Sequence, residues 1–159
     1  MGDRIGLDEA YMQMAEIWAL RSYATRKKVG ALLVNGSQII SDGYNGMPNK
    51  FPNDEVELLQ PDGSLVTNPL VLHAEWNAVI KCAKKGICCK GATLYVTMLP
   101  CVECSKLIIQ AELERVVFRE WYRKTEALQI LQRANIPVIQ LPRQVKDEPI
   151  IHSKHEAPS

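Results

Sequence analysis

The pentapeptide Pro100-Cys101-Val102-Glu103-Cys104 follows the tripeptide His73-Ala74-Glu75 along this chain, and together the two motifs predict a metal site between two helices. The two cysteines lie three residues apart at the start of a predicted helix, where side chains at positions i and i+3 share one face. The positive end of the helix favours the thiolate form, which is the form that binds metals. One histidine and two cysteines can hold zinc and leave its fourth position open for water. This arrangement is typical of catalytic rather than structural zinc.

Helix and strand patterns alternate on both sides of these motifs. A helix begins at the histidine motif and ends at Gly86, a residue suited to the left-handed conformation that closes many helices. The segments that follow are predicted as a strand (92–98), a helix (101–111), a strand (115–118), a helix (122–134) and a strand (137–141). Alternating β and α units are typical of a largely parallel sheet with helices on both faces.

The first third of the chain adds an antiparallel element. Apolar residues at helical spacing predict a helix over 7–26, with Asp8 as its N-cap. Two short strands, 29–34 and 37–42, flank Asn35-Gly36, whose residues tolerate the positive φ angles of a hairpin turn. The predicted fold is therefore an α/β fold with three layers, α/β/α, built on a mixed five-stranded sheet.

The length of 159 residues fits a single domain, which we expect over residues 1–141. Residues 142–159 are polar, contain proline and lack periodicity, so we expect a mobile C-terminal tail. Residues 47–69 contain four prolines and are predicted as a long loop, or as a loop with one short helical turn. Loops of this length inside a domain are usually functional or disordered.

Composition argues against a membrane or a nucleic acid as the partner. The formal net charge is +1, so no overall field draws the chain to a phosphate backbone or an anionic bilayer. No apolar run is long enough to span a bilayer, and the N-terminus lacks an apolar secretory core. The five cysteines, an odd number, favour metal binding or catalysis over a disulfide framework. We therefore expect a cytoplasmic protein in which Cys82, Cys88 and Cys89 are reduced.

His73 is the only histidine inside the predicted domain, because the other two fall in the predicted tail. We predict that His73, Cys101 and Cys104 bind one zinc ion. Two alternatives stay open. The three side chains could be buried in the core without a metal, or a cysteine from the 88–89 pair could complete a closed structural site.

The glutamate beside the histidine, Glu75, is predicted to move the protons of the reaction. It would take a proton from the attacking water, pass it to the substrate ring and assist departure of the leaving group. Glu103 lies between the two cysteines and is expected to point elsewhere on its helix.

These motifs resemble the deoxycytidylate (dCMP) deaminase family over roughly residues 8–141. A His-x-Glu motif followed by Pro-Cys-x-x-Cys is the signature of zinc-dependent nucleobase deaminases. The loop Gly43-Tyr-Asn-Gly-Met-Pro48 distinguishes the dCMP family from related cytidine and tRNA adenosine deaminases. The resemblance also rests on two further stretches, Ser22-Tyr-Ala-Thr-Arg-Lys-Lys-Val-Gly-Ala31 and Gly91-Ala-Thr-Leu-Tyr-Val-Thr97.

The resemblance implies a cytidine deaminase-like fold and hydrolysis of dCMP to dUMP and ammonia, a step that supplies the precursor of dTMP. It also implies a homo-oligomer, with a hexamer favoured, and dCTP and dTTP as effectors. Allosteric viral members carry a second, structural zinc. Here Ala24 stands at the corresponding upstream position and the 47–69 loop has no cysteine or histidine, so we expect one zinc per chain.

The resemblance also suggests which residues bind the substrate. Asn45 would contact its sugar or base, and Ser22, Arg26 and Lys28 lie on the stretch that holds the 5′-phosphate in the family. Ala74 and Tyr122 would line the pocket. Two simpler roles stay open on the residues alone, since the basic side chains could form a solvated helix end and Asn45 could serve only a turn.

Three other functions compete with that of a dCMP deaminase. One is a nucleic-acid-editing enzyme of the tRNA adenosine deaminase type, which the near-zero net charge disfavours. Another is a deaminase of 5-substituted dCMP, and the third is a non-catalytic zinc module, which the intact Glu75 disfavours. Trp76, directly after Glu75, is expected in the core or at a subunit interface, and alternatively in the pocket.

Overall fold

The elements of the chain are described by a computed structural model that covers residues 2–143. The helices and strands are α1 (Leu7–Ala19), β1 (Gly30–Asn35), β2 (Gln38–Tyr44), β3 (Glu57–Leu59), β4 (Leu65–Thr67), α2 (Ala74–Lys85), β5 (Thr93–Met98), α3 (Val102–Gln110), β6 (Arg115–Glu120), α4 (Glu126–Arg133) and β7 (Val138–Gln140). Their order confirms the alternation predicted from the sequence.

Five of the strands form one mixed sheet in the order β2-β1-β5-β6-β7. The hairpin of β1 and β2 is antiparallel, and β1 also pairs antiparallel with β5. The pairs β5–β6 and β6–β7 are parallel, each joined through a helix. The predicted mixed five-stranded sheet is therefore confirmed.

Helices cover both faces of this sheet. On one face α1 packs Met12 and Ala15 against Leu32 and Val117 of the central strands. On the other face α2, α3 and α4 bury apolar residues against the alternate side chains of the same strands, among them Ala78, Leu33, Val96, Ile108 and Leu131. Because β1 is buried on both faces, its residues 30–34 read as a continuous apolar run in the sequence.

Two glycines set how closely the helices approach the sheet. A Cβ on Gly30 would lie 2.0 Å from the carbonyl oxygen of Ala15, and a Cβ on Gly43 would lie 2.3 Å from that of Ala74. Only glycine leaves room for backbones this close. Gly43 therefore lets the first turn of α2 rest directly on β2.

The N-terminal helix differs from its prediction at both ends. It stops at Ala19 instead of reaching residue 26, and Gly6, not Asp8, is its N-cap. The Asp8 carboxylate accepts hydrogen bonds from the Arg115 guanidinium and the Tyr95 hydroxyl. Asp8 thus ties α1 to the central strands, a role that depends on residues far away in the sequence.

The proline-containing segment 47–69 is more ordered than its composition indicates. It contains one short helical turn, a 3-10 turn over Asn53–Val56, which was one of the two alternatives left open by the sequence. It also contains an unpredicted antiparallel hairpin, β3–β4, outside the main sheet. The hairpin turns at Asp62 and Gly63, where Gly63 has a φ of +83° and the Asp62 carboxylate accepts from Ser64.

The predicted tail, 142–159, lies outside the described residues except for its first two positions. The expected division into a domain over 1–141 and a tail therefore stays a prediction. Within residues 2–143, none of the helices is both long and apolar enough to cross a membrane.

Candidate active site

The two sequence motifs meet at the starts of two helices. His73 is the N-cap of α2, Cys101 is the N-cap of α3, and Cys104 lies in the first turn of α3. The His73 Nδ1 atom lies 3.5 Å from the Cys101 sulfur and 3.3 Å from the Cys104 sulfur. Among residues 2–143 this is the one group of three such side chains close enough to share a metal ion.

The donor set and its spacing fit zinc. A tetrahedral zinc with bonds of about 2.0 Å to nitrogen and about 2.3 Å to sulfur separates those ligand atoms by about 3.5 Å. The distances from the His73 nitrogen to both sulfurs agree with that separation. The alternative of three unrelated buried side chains does not explain why all three aim at one point. Cys88 and Cys89 do not belong to the group, so it has three protein ligands rather than four.

The surroundings of the sulfurs favour the ligand form of one cysteine. The thiol of Cys104 donates to Cys101, and the His73 ring also faces this sulfur, so the pKa of Cys101 falls to about 4. The hydrogen bond that Cys104 donates to Cys101, together with burial, raises the pKa of the Cys104 thiol. The hydrogen bond to Cys101 also raises the pKa of the His73 ring. A thiolate at position 101 is the form that binds a metal.

Glu75, the last residue of the histidine motif, is the second residue of α2 and is only 4% exposed. Burial raises the pKa of its carboxyl group. A carboxyl group with a raised pKa is suited to both accept and donate a proton near neutral pH. Glu103, in contrast, is exposed and pairs with Lys106 on the outer side of α3, where it was expected to lie.

The carboxyl ends of the parallel strands place these residues at one edge of the sheet. The segment after β5 carries the cysteines, and the segment after β6 carries Tyr122 and Arg123. Because β1 runs antiparallel to β5, the segment that enters β1 lies at the same edge. Ligand sites of open α/β sheets form at this edge.

A cleft opens here and has two connected parts. The inner part contacts His73, Glu75 and Cys101. The outer part adds Arg26, Glu57, Trp121 and Arg123. Six residues border both parts: Lys27, Asn45, Thr67, Val71, Met98 and Tyr122. The inner part is thus the floor of the cleft and holds His73, Glu75 and Cys101, whereas the outer part is its mouth and carries three cations, Arg26, Lys27 and Arg123.

The structure places Asn45 on the cleft wall, where its amide group fixes the neighbouring backbone. The Asn45 Oδ1 atom accepts from the Val29 N–H at 2.8 Å, and its Nδ2 group donates to the Lys27 carbonyl at 2.9 Å. Asn45 thus holds the entry to β1, and its remaining lone pair and N–H are what a ligand would use.

Of the three residues predicted to bind the 5′-phosphate, one borders the cleft and two do not. Arg26 borders the outer part of the cleft. Ser22 is buried behind Asn45, where its hydroxyl donates to the Asn45 carbonyl at 2.8 Å, and it borders neither part. Lys28 is exposed and also borders neither part, whereas Lys27, which was not singled out, borders both.

The remaining predicted residues lie beside the cleft. Ala74 and Tyr122 border it, and the Arg123 guanidinium carbon lies 5.9 Å from the centre of the Tyr122 ring. Trp76 borders neither part. Sequence reasoning missed Arg123 and Thr67. The position of Arg123 next to Tyr122 was a usable signal, while Thr67 lies in the unpredicted hairpin.

Known proteins have sequences similar to this chain. The sequence pattern of the cytidine and deoxycytidylate deaminase zinc-binding region matches residues 6–120. Human deoxycytidylate deaminase is 40% identical over 119 residues, which cover 73% of this chain and 66% of the human protein. ComE operon protein 2 of Bacillus subtilis (strain 168) is 35% identical over 142 residues, which cover 87% of this chain and 73% of that protein.

A solved structure extends the likeness to the fold. The dCMP deaminase of the cyanophage S-TIM5, crystallised with dCMP and dUMP, is 40% identical and has a TM-score of 0.80. The match covers 88% of this chain and all of the phage chain. Since the zinc-binding pattern also covers most of its length, the chain belongs to the cytidine and deoxycytidylate deaminase family.

Proposed function

We propose that this protein is a zinc-dependent dCMP deaminase, which hydrolyses dCMP to dUMP and ammonia and so supplies the precursor of dTMP. One observation carries the proposal. His73, Cys101 and the buried Glu75 border the floor of a cleft, with Cys104 close enough to share a metal ion, and the mouth of the cleft holds Arg26, Lys27 and Arg123. The floor can perform hydrolysis, and the mouth can bind a phosphate.

The chemistry of the floor divides between the metal and the glutamate. Zinc, when bound by His73, Cys101 and Cys104, lowers the pKa of water towards neutrality. Glu75 accepts a proton from the attacking water and delivers it to the ring nitrogen beside the attacked carbon. It then takes the remaining proton from the hydroxyl group formed on the attacked carbon and donates it to the amino group, which leaves as ammonia while the carbonyl forms, so one carboxyl serves both steps. Val71 and Leu99 add apolar side chains to the lining of this part of the cleft.

The cations at the mouth support a nucleoside monophosphate as the substrate. Arginine presents a planar fork of donors that matches phosphate oxygens, and lysine adds a point charge. Arg26 keeps its predicted role, and we add Lys27 and Arg123 to it. Ser22 lies behind Asn45 and supports its backbone. Lys28 borders neither part of the cleft, so we assign it no role in phosphate binding.

A substrate panel tests the proposal. Purified protein with one zinc per chain is incubated with dCMP, 5-methyl-dCMP, deoxycytidine, CMP and tRNA, and the ammonia released is measured. We expect the fastest release from dCMP. Release from tRNA alone would instead support the editing alternative, and faster release from 5-methyl-dCMP would support the 5-substituted one.

We also propose that the protein is cytoplasmic, that it assembles as a homo-oligomer, with a hexamer favoured, and that dCTP and dTTP act as effectors. The oligomer is supported by the exposed apolar side chains Met14, Ile17 and Leu20 on α1 and at its C-terminal end. The location is supported by five free thiols, and the effectors rest on the family resemblance. Light scattering of the purified protein, and rates with and without dCTP or dTTP, test assembly and regulation.

A further inference from the structure

The turn that presents the cations of the cleft is bound by a carboxylate from the β3–β4 hairpin. The Glu57 Oε1 atom accepts hydrogen bonds from the backbone N–H groups of Thr25 at 3.0 Å and Arg26 at 2.7 Å. Its Oε2 atom accepts from the same Thr25 N–H at 3.1 Å and from the Thr25 hydroxyl at 2.6 Å. Three donors of one turn therefore converge on a single side chain.

The hairpin contacts the Arg26 side chain as well as the backbone of this turn. Glu57 is the first residue of β3, and Thr67 is the last residue of the paired strand β4. The Arg26 Nη1 group donates to the Thr67 hydroxyl at 3.4 Å. Both Glu57 and Thr67 border the outer part of the cleft. The hairpin is thus one wall of the cleft. It also supports the opposite wall, residues 25–29, which we call the cationic segment.

The next part of the cationic segment is fixed separately. Asn45 binds the backbone at residues 27 and 29, and the Lys27 ammonium pairs with Glu120. The turn at Thr25 and Arg26 belongs to no helix or strand, and its N–H groups bond to Glu57. Glu57 is therefore what fixes the first half of the segment.

We propose that Glu57 is a positioning residue for phosphate recognition. By binding the turn at Thr25 and Arg26, it sets the Arg26 side chain, beside Lys27, towards a 5′-phosphate and so favours nucleoside monophosphates over nucleosides. This inference rests on the proposed function, because it takes a pyrimidine deoxynucleotide as the ligand of the cleft.

The chemistry of the contact requires a carboxylate. A carboxylate only accepts hydrogen bonds, and both of its oxygens are used here. A glutamine would direct its amide N–H groups at donors of the turn. A loosened turn must then be ordered when phosphate binds, which weakens binding of phosphorylated ligands and leaves ligands without phosphate unaffected.

Binding of dUMP and of deoxyuridine, measured by calorimetry, tests the inference. The variants are Glu57→Gln, Thr25→Val, which removes one donor of the turn, and the control Glu55→Gln, which changes an exposed glutamate two residues earlier. Loss of charge-assisted hydrogen bonds is expected to weaken dUMP binding by about tenfold or more in Glu57→Gln. Thr25→Val should give a smaller shift in the same direction. Deoxyuridine binding should not change in any variant, and Glu55→Gln should match the wild type for both ligands.

Two results overturn the inference: a wild type without preference for dUMP, or a Glu57→Gln variant that loses affinity for both ligands equally. If Glu57→Gln does not fold, Thr25→Val decides by the same comparison. A wild type that prefers dUMP but does not deaminate dCMP removes the proposed function and leaves the role of Glu57 standing. A wild type that deaminates dCMP, with the dUMP preference intact in Glu57→Gln, removes this role alone.

Discussion

Glu75 is the residue on which the proposed chemistry depends most directly. Its carboxyl group is buried at the start of α2, next to three side chains that can bind a metal. Burial raises its pKa, and no other carboxyl group borders the inner part of the cleft within the described chain. A side chain of the same shape that cannot carry a proton therefore isolates its role.

Replacing Glu75 by glutamine should preserve zinc binding and remove nearly all turnover. General acid–base catalysis contributes about 10²- to 10⁴-fold to a rate, so we expect kcat for dCMP to fall by at least about 10²-fold. Zinc content by elemental analysis and ammonia release are the two measurements. The control is Glu103→Gln, on the exposed side of α3, which should leave both unchanged. A Glu75→Gln enzyme that retains most of its turnover contradicts the assignment.

We predict different effects for substitutions at Lys27 and at Lys28, because only one of the two side chains borders the cleft. Lys27 borders both parts of the cleft, and Lys28 borders neither. Removing a charge-assisted contact to phosphate should raise the KM for dCMP by about tenfold in Lys27→Ala, with kcat preserved. Lys28→Ala should have the smaller effect. The reverse order in steady-state kinetics would show that the family-based choice of Lys28 was right.

At the scale of elements, the site depends on how closely α2 rests on β2. Gly43 allows this approach, and the start of α2 carries His73 at its N-cap and Glu75 in its first turn. A displacement of the helix would move a metal ligand and the proton carrier together. The close packing of α2 on Gly43 therefore helps to set the positions of the side chains on the cleft floor.

Substituting alanine for Gly43 should therefore cost both stability and activity. The new Cβ would lie 2.3 Å from the Ala74 carbonyl oxygen and 2.7 Å from the Ala78 nitrogen, both backbone atoms that cannot turn aside. Overpacking of this kind costs about 1–3 kcal/mol in the free energy of unfolding. Gly46→Ala, in the loop that follows β2, has only one atom within contact range, at 4.0 Å, and should unfold like the wild type in urea. Equal stability of the two variants would refute the argument.

Much of this arrangement could be predicted from the sequence. Turn signals and apolar runs predicted the five strands of the main sheet, and two motifs predicted the metal-binding side chains. The β3–β4 hairpin was missed because its three-residue strands are mostly exposed on both faces and show no clear alternation. The hairpin contacts the preceding part of the chain through Glu57, which accepts hydrogen bonds from residues 31 and 32 positions earlier. Contacts this distant leave no local pattern. The choice between Lys27 and Lys28 likewise depends on the path of the backbone.

At the scale of the whole molecule, one buried arginine joins the two ends of the described chain. Arg119 in β6 is only 3% exposed, and it donates to the carboxylates of Glu9 and Glu16 on α1. It also donates to the carbonyl groups of Leu141 and Pro142, just after β7. Truncating one partner of a buried charged network leaves the others unpaired, which costs more than the network contributes as a whole.

Glu9→Gln should therefore destabilise the protein in a pH-dependent way. The Arg119 hydrogen bonds lower the pKa of Glu9 below its ordinary value of 4.5 in the folded state. A lowered folded pKa stabilises the native state fully above the unfolded value, and this contribution is lost as pH falls through the folded pKa. At pH 7 the variant should lose about 2 kcal/mol in the free energy of unfolding, the scale of a hydrogen bond to a charged group.

Urea unfolding of both proteins from pH 7 to pH 3 measures this contribution. The difference between wild type and Glu9→Gln should stay constant down to about pH 4.5 and narrow below it, because the Glu9 carboxylate then takes up a proton in the unfolded state and, at lower pH, in the folded state, while the amide does not titrate. Glu112→Gln is the matched control, since Glu112 pairs with Lys90 where both side chains are more than half exposed. Exposed pairs contribute little to stability because solvent screens them, so this variant should follow the wild type at every pH. A difference that widens on acidification would mean that Glu9 is protonated in the native state, and that Arg119 holds α1 through Glu16 alone.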